Sequence, residues 1–159
     1  MKRLTGSFKY YQWDPWLIIF QIISIQCILY VSLGLILALL SSIVGEPKTL
    51  DHIFEYHEVQ IRDFGGRIVI MSFTINALVG ALALWYFVER TKLCLDFSCT
   101  WHLIHLLVSW FYNECFPTTF SWWALNVACA TLMCVCGEFL CLRTELAAIP
   151  LSLGPKTDL

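Results

Sequence analysis

The chain has 159 residues, 58% of them hydrophobic and only 14% charged, with 7 Trp, 11 Phe and 6 Tyr and a mean hydropathy of +0.70. An ordinary soluble domain carries about 25% charged residues, and so few polar groups cannot clothe a water-facing surface around so large an apolar store, so the bilayer must be the solvent for much of the chain. With 10 Lys+Arg against 12 Asp+Glu the net charge is -2, which supplies no basic patch and removes nucleic acid as a partner.

The first predicted element covers residues 16–44, an uncharged run well beyond the ~20 apolar residues that cross a hydrocarbon core. Its lead-in is Trp13-Asp14-Pro15-Trp16. Proline suits a first helical turn, Asp14 can accept from exposed backbone N–H groups, and the Trp pair suits the headgroup layer. The run is also too long for the core of a signal peptide, so an uncleaved anchor is expected. A second span, residues 68–88, is uncharged between Arg67 and Glu89-Arg90.

The third span, residues 93–113, is shorter in its uncharged part, with Asp96 near its mouth and His102 and His105 inside it. The fourth covers residues 116–137, with Pro117 expected in its first turn and Glu138 and Arg143 beyond its end. Backbone amides cannot go unpaired in lipid, so these runs are helices. A β-barrel fails because runs such as residues 33–40 show no alternation. The expected fold is all-α, a single polytopic domain built as a four-helix transmembrane bundle.

With four spans, Lys2, Arg3, Lys9, Arg90, Lys92, Arg143 and Lys156 collect on one face, and Lys48, Arg62 and Arg67 on the other. The positive-inside rule then puts both termini in the cytosol and the acidic loop 45–67 (Glu46, Asp51, Glu55, Glu58, Asp63) on the lumenal side.

Five of the eight cysteines, Cys27, Cys99, Cys129, Cys134 and Cys136, lie within spans as small apolar residues. Cys115 stands alone on the far face, so no intrachain disulfide is expected, while Cys94 and Cys141 at the cytosolic boundary are candidates for S-palmitoylation. Cys94, Asp96, Cys99, His102 and His105 share one side of a helix, but ligands from a single helix cannot complete a zinc tetrahedron, and no metal is expected. The simpler reading is polar glue, with His102 and His105 bonding to groups such as Gln21, Gln26, Ser72 or Asn76. The sharper alternative is a small transporter or channel that uses His102, His105 and Asp96 as a relay.

Gly80, Ala81 and Ala83 in the second span, and Ala124, Ala128 and Ala130 in the fourth, allow close helix approach. Trp110, Tyr112, Trp122 and Trp123 form an aromatic belt at the far interface. The chain contains no nucleophile elbow, phosphate-cradling glycine loop or His-Glu-x-x-His, so no enzyme, cofactor or small-molecule substrate is expected.

Trp13-Asp14-Pro15 with Gln21 and Gln26, Ser32-Leu33-Gly34, Met71-Ser72-Phe73 and Asn76-Ala77-Leu78 resemble the first two spans of the Sys family of Golgi integral membrane proteins. The second half is closer still. Cys94-Leu95-Asp96-Phe97, His102 and His105, Phe116-Pro117, Trp122-Trp123, Gly137-Glu138, Cys141-Leu142-Arg143-Thr144-Glu145-Leu146 and Ile149-Pro150-Leu151 follow that family's motifs in order. The resemblance implies a four-pass trans-Golgi receptor for an ARF-related small GTPase whose N-terminus is acetylated, supporting endosome-to-Golgi traffic. Besides that GTPase, membrane lipid is the expected partner. The cytosolic rim, Asp14, Arg90, Lys92, Asp96, Glu138, Arg143 and Glu145, is where such a partner would dock.

Overall fold

A computed structural model describes residues 15–45, 51–59 and 62–147, so Asp14 and the remaining lead-in lie outside the described residues. Among the described residues five α-helices follow one another: α1 Pro15–Val44, α2 Asp51–Phe54, α3 Phe64–Phe87, α4 Thr91–Asn113 and α5 Phe120–Ala147, with a 3₁₀ turn at Tyr56–Glu58 between α2 and α3. The described residues contain no strand. Among the described residues three helices, α1, α3 and α5, are long and apolar enough to cross a membrane. Sequence reading expects a fourth; α4 is nearly as long as α3, but Lys92, Asp96, His102 and His105 lower its apolar character.

Unlike a soluble bundle, the molecule is apolar on its outer face as well as in its interior. Along α1 only every fourth residue is buried, Ile25, Leu29, Leu33, Leu37 and Ser41, while Phe20, Ile23, Val31, Leu35, Leu39 and Ile43 face outward. A narrow interior stripe with large apolar side chains around the rest of the helix is the pattern of a helix that meets lipid on its outer face.

Helix α3 is the centre, packed against α1 and α5, while α4 lies mainly on α5. Two bonds fix α1 and α3 as antiparallel: Gln21 Nε2 donates to Phe87 O (2.7 Å), and Ser32 Oγ donates to Asn76 Oδ1. Helices α3 and α5 run parallel, since Gly80 faces Met133, Gly137 faces Leu84, and Trp85 Nε1 donates to Thr144 Oγ1 (2.8 Å). Helix α4 returns against α5, with Thr91 at Glu145, Ser98 Oγ on Ala130 O (3.0 Å) and His105 against Trp122.

The α3–α5 contact depends on two glycines. A Cβ on Gly80 would lie 2.7 Å from Met133 Sδ, and one on Gly137 would lie 3.1 Å from Leu84 Cδ1, where Met133 and Leu84 are themselves fully buried. Ala81 and Ala83 are buried as the small-residue reading expects, but Ala124 and Ala128 are exposed. On α5 the packing face is Trp122, Cys129, Met133 and Gly137 instead.

Several expectations shift. Trp122 is only 3% exposed and belongs to the core rather than the interfacial belt, where Trp110 and Tyr112 do lie exposed. Pro117 precedes α5 in a non-helical segment instead of starting it, and α5 continues as helix to Ala147, because Leu140 and Cys141 keep an inward side beyond Glu138. Cys94 and Cys141 are both fully buried, with sulfurs 3.7 Å apart, so neither thiol is presented to an acyltransferase. Within the segment between α1 and α3, Asn113 Nδ2 donates to Phe54 O (2.8 Å), and Tyr56 and Val59 are buried.

Candidate functional site

The rim at the α3–α4 corner begins with a backbone requirement. Glu89 takes a left-handed conformation (φ 54°), and its N–H reaches back to Leu84 O (3.3 Å), so α3 stops and α4 starts within three residues. The residue preceding α4, Arg90, makes no side-chain cap. The cap comes from another helix. Glu145 of α5 accepts the Thr91 N–H at 3.1 Å and the Thr91 hydroxyl at 2.6 Å. A carboxylate on the first N–H of a helix satisfies an orphan donor and meets the positive end of the helix dipole. The Thr91 hydroxyl bond holds the Glu145 carboxyl below its ordinary range, helped by the backbone bond and by the charges of Arg90 and Lys92.

Beside this clasp lies a groove of about 390 Å³ between α1 and α4, walled by Ile18, Ile22, Leu93 and Phe97 and edged by Arg90, Asp96 and Thr100. It exists because α1 packs on α3 and α4 on α5, leaving the α1–α4 seam thinly filled. Arg90 and Asp96 are exposed at its edge, Lys92 is exposed nearby on the first turn of α4, and Glu145 sits half-buried beside Thr91. The structure therefore gathers four of the rim residues. Arg143 is exposed on α5, and Glu138 is turned to Cys134, whose Sγ donates to Glu138 Oε1 at 3.4 Å, on the α4–α5 side.

The intramembrane polar residues divide. Gln21 and Asn76 join α1 to α3, as polar glue should. The histidines do not share in it. His102 Nδ1 bonds Ser98 O of its own helix (2.9 Å), and Ser72 bonds Ile68 O of its own helix (2.8 Å). His105 is fully buried, and neither ring nitrogen has a hydrogen-bond partner among the described residues, nor do Gln26 Oε1, Tyr30 Oη and Ser109 Oγ. His105 is instead held by rings, with Trp101 (6.0 Å) and Trp122 (6.2 Å) stacked near-parallel to it and Phe73 at 5.4 Å.

Asp96 borders the α1–α4 groove while His102 borders a different groove between α4 and α5, so the relay residues do not lie along one path. The described residues contain no cluster of three or more potential metal ligands. What the geometry offers chemically is an apolar slot edged by one cation, one anion and a hydroxyl, suited to holding an apolar segment with a small polar end. The sequence alone did not mark Thr91 or the groove walls Ile18, Ile22 and Leu93, and Phe97 stood out only as part of the Cys94-Leu95-Asp96-Phe97 motif. Inside an uncharged run, a wall residue and a lipid-facing residue look alike.

A family model described as integral membrane protein S linking to the trans Golgi network, SYS1, matches residues 8–151. The chain is 44% identical over 151 residues to the protein SYS1 homolog of Nematostella vectensis, covering 95% of this chain and 96% of that one. It is 44% identical over 151 residues to the protein SYS1 homolog of Dictyostelium discoideum, covering 95% and 65%. To the protein SYS1 of Saccharomyces cerevisiae it is 24% identical over 133 residues, covering 83% and 65%. No solved structure matches.

Proposed function

The chain belongs to the SYS1 family of integral membrane proteins linked to the trans-Golgi network, and from that premise we propose that it is a four-pass receptor that recruits an N-terminally acetylated ARF-related small GTPase. The parallel course of α3 and α5, with α4 returning between them along α5, supports a fourth crossing, since α4 covers about 35 Å at 1.5 Å per residue. The excess of basic residues supports a cytosolic position for both termini and for the α3–α4 corner.

The observation that carries the reading is the α1–α4 groove, which opens at the end where Arg90, Lys92, Asp96 and Glu145 gather. Acetylation removes the charge of an amino terminus, and an uncharged terminus enters an apolar slot without the cost of burying an unpaired ammonium. Arg90 and Asp96 would flank the entering segment, and Arg143 and Glu138 would add contacts on α5. Recruitment of this kind asks for a presented surface and no catalytic step. In membranes, Ile22→Trp or Thr100→Trp, which fill the slot, should lower capture of the acetylated GTPase by on the order of tenfold, about 1.4 kcal/mol. Unchanged capture by both variants would remove the groove from the interface. A protease-sensitive tag protected at either terminus of sealed Golgi vesicles would remove the orientation.

A further inference from the structure

We propose that Asp96, at the edge of the α1–α4 groove, receives a cationic side chain, Lys or Arg, that the docking segment of the partner carries. The inference rests on the docking reading above and adds the charge that the segment must bring.

Asp96 lies in the second turn of α4, about 8 Å along the helix from Thr91. A carboxylate at that depth of a spanning helix is costly unless something pairs it. Its neighbours do not. Ile18, Ile22, Leu93 and Phe97 beside it are apolar, and α1 carries no charged residue between Pro15 and Val44. The Thr100 hydroxyl donates to the Asp96 backbone carbonyl (2.7 Å), not to the carboxylate. Arg90 stands about 9 Å closer to the mouth, and Lys92, one turn before Asp96, does not border the groove. Among the described residues no cation lies within ion-pair distance of the Asp96 carboxylate.

Asp96 is exposed, so water and headgroups can solvate its charge, and a segment laid into the groove takes that solvation away. A neutral donor would then satisfy one lone pair and leave the charge buried, whereas a cation cancels it. A wholly apolar or an acidic segment is excluded on the same ground. The pair forms beside hydrocarbon walls and fixes how far the segment advances. An acetylated terminus suits this register. A free α-ammonium would be the first cation to reach Asp96 and would stop there, whereas a terminus without charge passes on toward Thr100 and leaves Asp96 to the side chain.

The test uses membranes containing the full chain and capture of the acetylated GTPase. Asp96→Asn and Asp96→Lys should each lower capture by about tenfold. Their thermal transitions in detergent should match the wild type, since the exposed Asp96 side chain bonds to no other helix. From Arg90 to Thr100 the groove is about 15 Å long, so each Lys and Arg within about the first ten residues of the GTPase is changed to Asp in turn. One of these reversals should lower capture by the wild-type chain and restore capture by Asp96→Lys to within about threefold of wild type. Loss on Ile22→Trp with no loss in either Asp96 variant would overturn this inference and leave the docking groove standing. Loss in both Asp96 variants that no reversal restores would overturn it as well. No loss on Ile22→Trp and Thr100→Trp would remove the groove from the interface, and this inference with it.

Discussion

At its first turn α4 receives the Glu145 carboxylate on Thr91, and the neighbouring Gln21 amide closes the end of α3, whereas about four turns further along the same helix His105 and Ser109 lie buried without hydrogen-bond partners among the described residues. Opposite them on α1, Gln26 Oε1 and Tyr30 Oη are equally unpartnered. Gln26/Tyr30 and His105/Ser109 are both i, i+4 pairs, so each presents its two polar groups on one face of its helix, and Tyr30 and His105 meet ring to ring at 6.2 Å. One end of α4 is fixed by directed polar bonds between helices. The other keeps one directed bond, from Asn113 to Phe54 O, and is otherwise fixed by stacked rings, with the polar atoms of His105 and Ser109 as a standing cost. The same substitution, removal of a polar atom, should therefore change stability with opposite sign at the two ends.

The largest effect breaks both ends together. Helix α4 rides on α5, and α5 is held against α3 through Gly80, so Gly80→Leu, driven into Met133, should cost roughly 1–3 kcal/mol of stability and lower the thermal transition in detergent. The contrast itself is sharpened by conservative changes. Tyr30→Phe and Ser109→Ala each delete an unpartnered buried hydroxyl with little change of shape and should each raise stability by about 1 kcal/mol. Thr91→Val deletes a partnered hydroxyl and should lower it by about 1 kcal/mol, reduced by the solvent exposure of the clasp. A fall in stability for Tyr30→Phe would show that the far end is satisfied by bonds after all.

Acid titration separates the ends in another way. Because folding holds the Glu145 carboxyl below its ordinary range, its contribution is complete above the unfolded value of about 4.5 and is lost as pH falls through the lower, folded value. The transition of the wild type should therefore drop in acid more than that of Glu145→Gln, and the two should run parallel at neutral pH.

The paired end and the unpaired end were not equally legible in the sequence. Lipid demands long uncharged runs, so α1, α3 and the first part of α5 could be read directly, and so could Pro15 at the start of α1. Gln21 and Asn76 were legible as glue because a polar side chain inside such a run must bond to another helix. The Glu145–Thr91 clasp joins residues 54 positions apart, and its carboxylate lies past the point where the uncharged run stops, so nothing local distinguishes it from a solvated rim charge. The extension of α5 escaped for the same reason. Both histidines drew attention as ionisable residues in a span, yet their partners are their own backbone or aromatic faces, which no spacing rule encodes.

The two corners that bound α4 supply the finest comparison. Glu89 before it and Glu114 after it both adopt left-handed conformations, φ 54° and 52°. A left-handed residue other than glycine costs roughly 1–2 kcal/mol, while glycine adds about 0.5–1 kcal/mol of unfolded-state entropy to be lost, so replacement by glycine should gain about 0.5 kcal/mol at either corner. Glu114→Gly lies at the far corner, outside the Glu145 clasp and the α1–α4 groove, and should show that gain in the thermal transition with GTPase capture unchanged. Glu89→Gly should show the same gain in stability, but it removes a carboxylate beside Arg90 and gives the turn that sets the start of α4 more freedom. If the docking groove needs that start held in place, capture should fall by about two- to threefold for Glu89→Gly alone. Equal capture by the two variants would mean that the clasp between Thr91 and Glu145 holds the corner without help from its backbone.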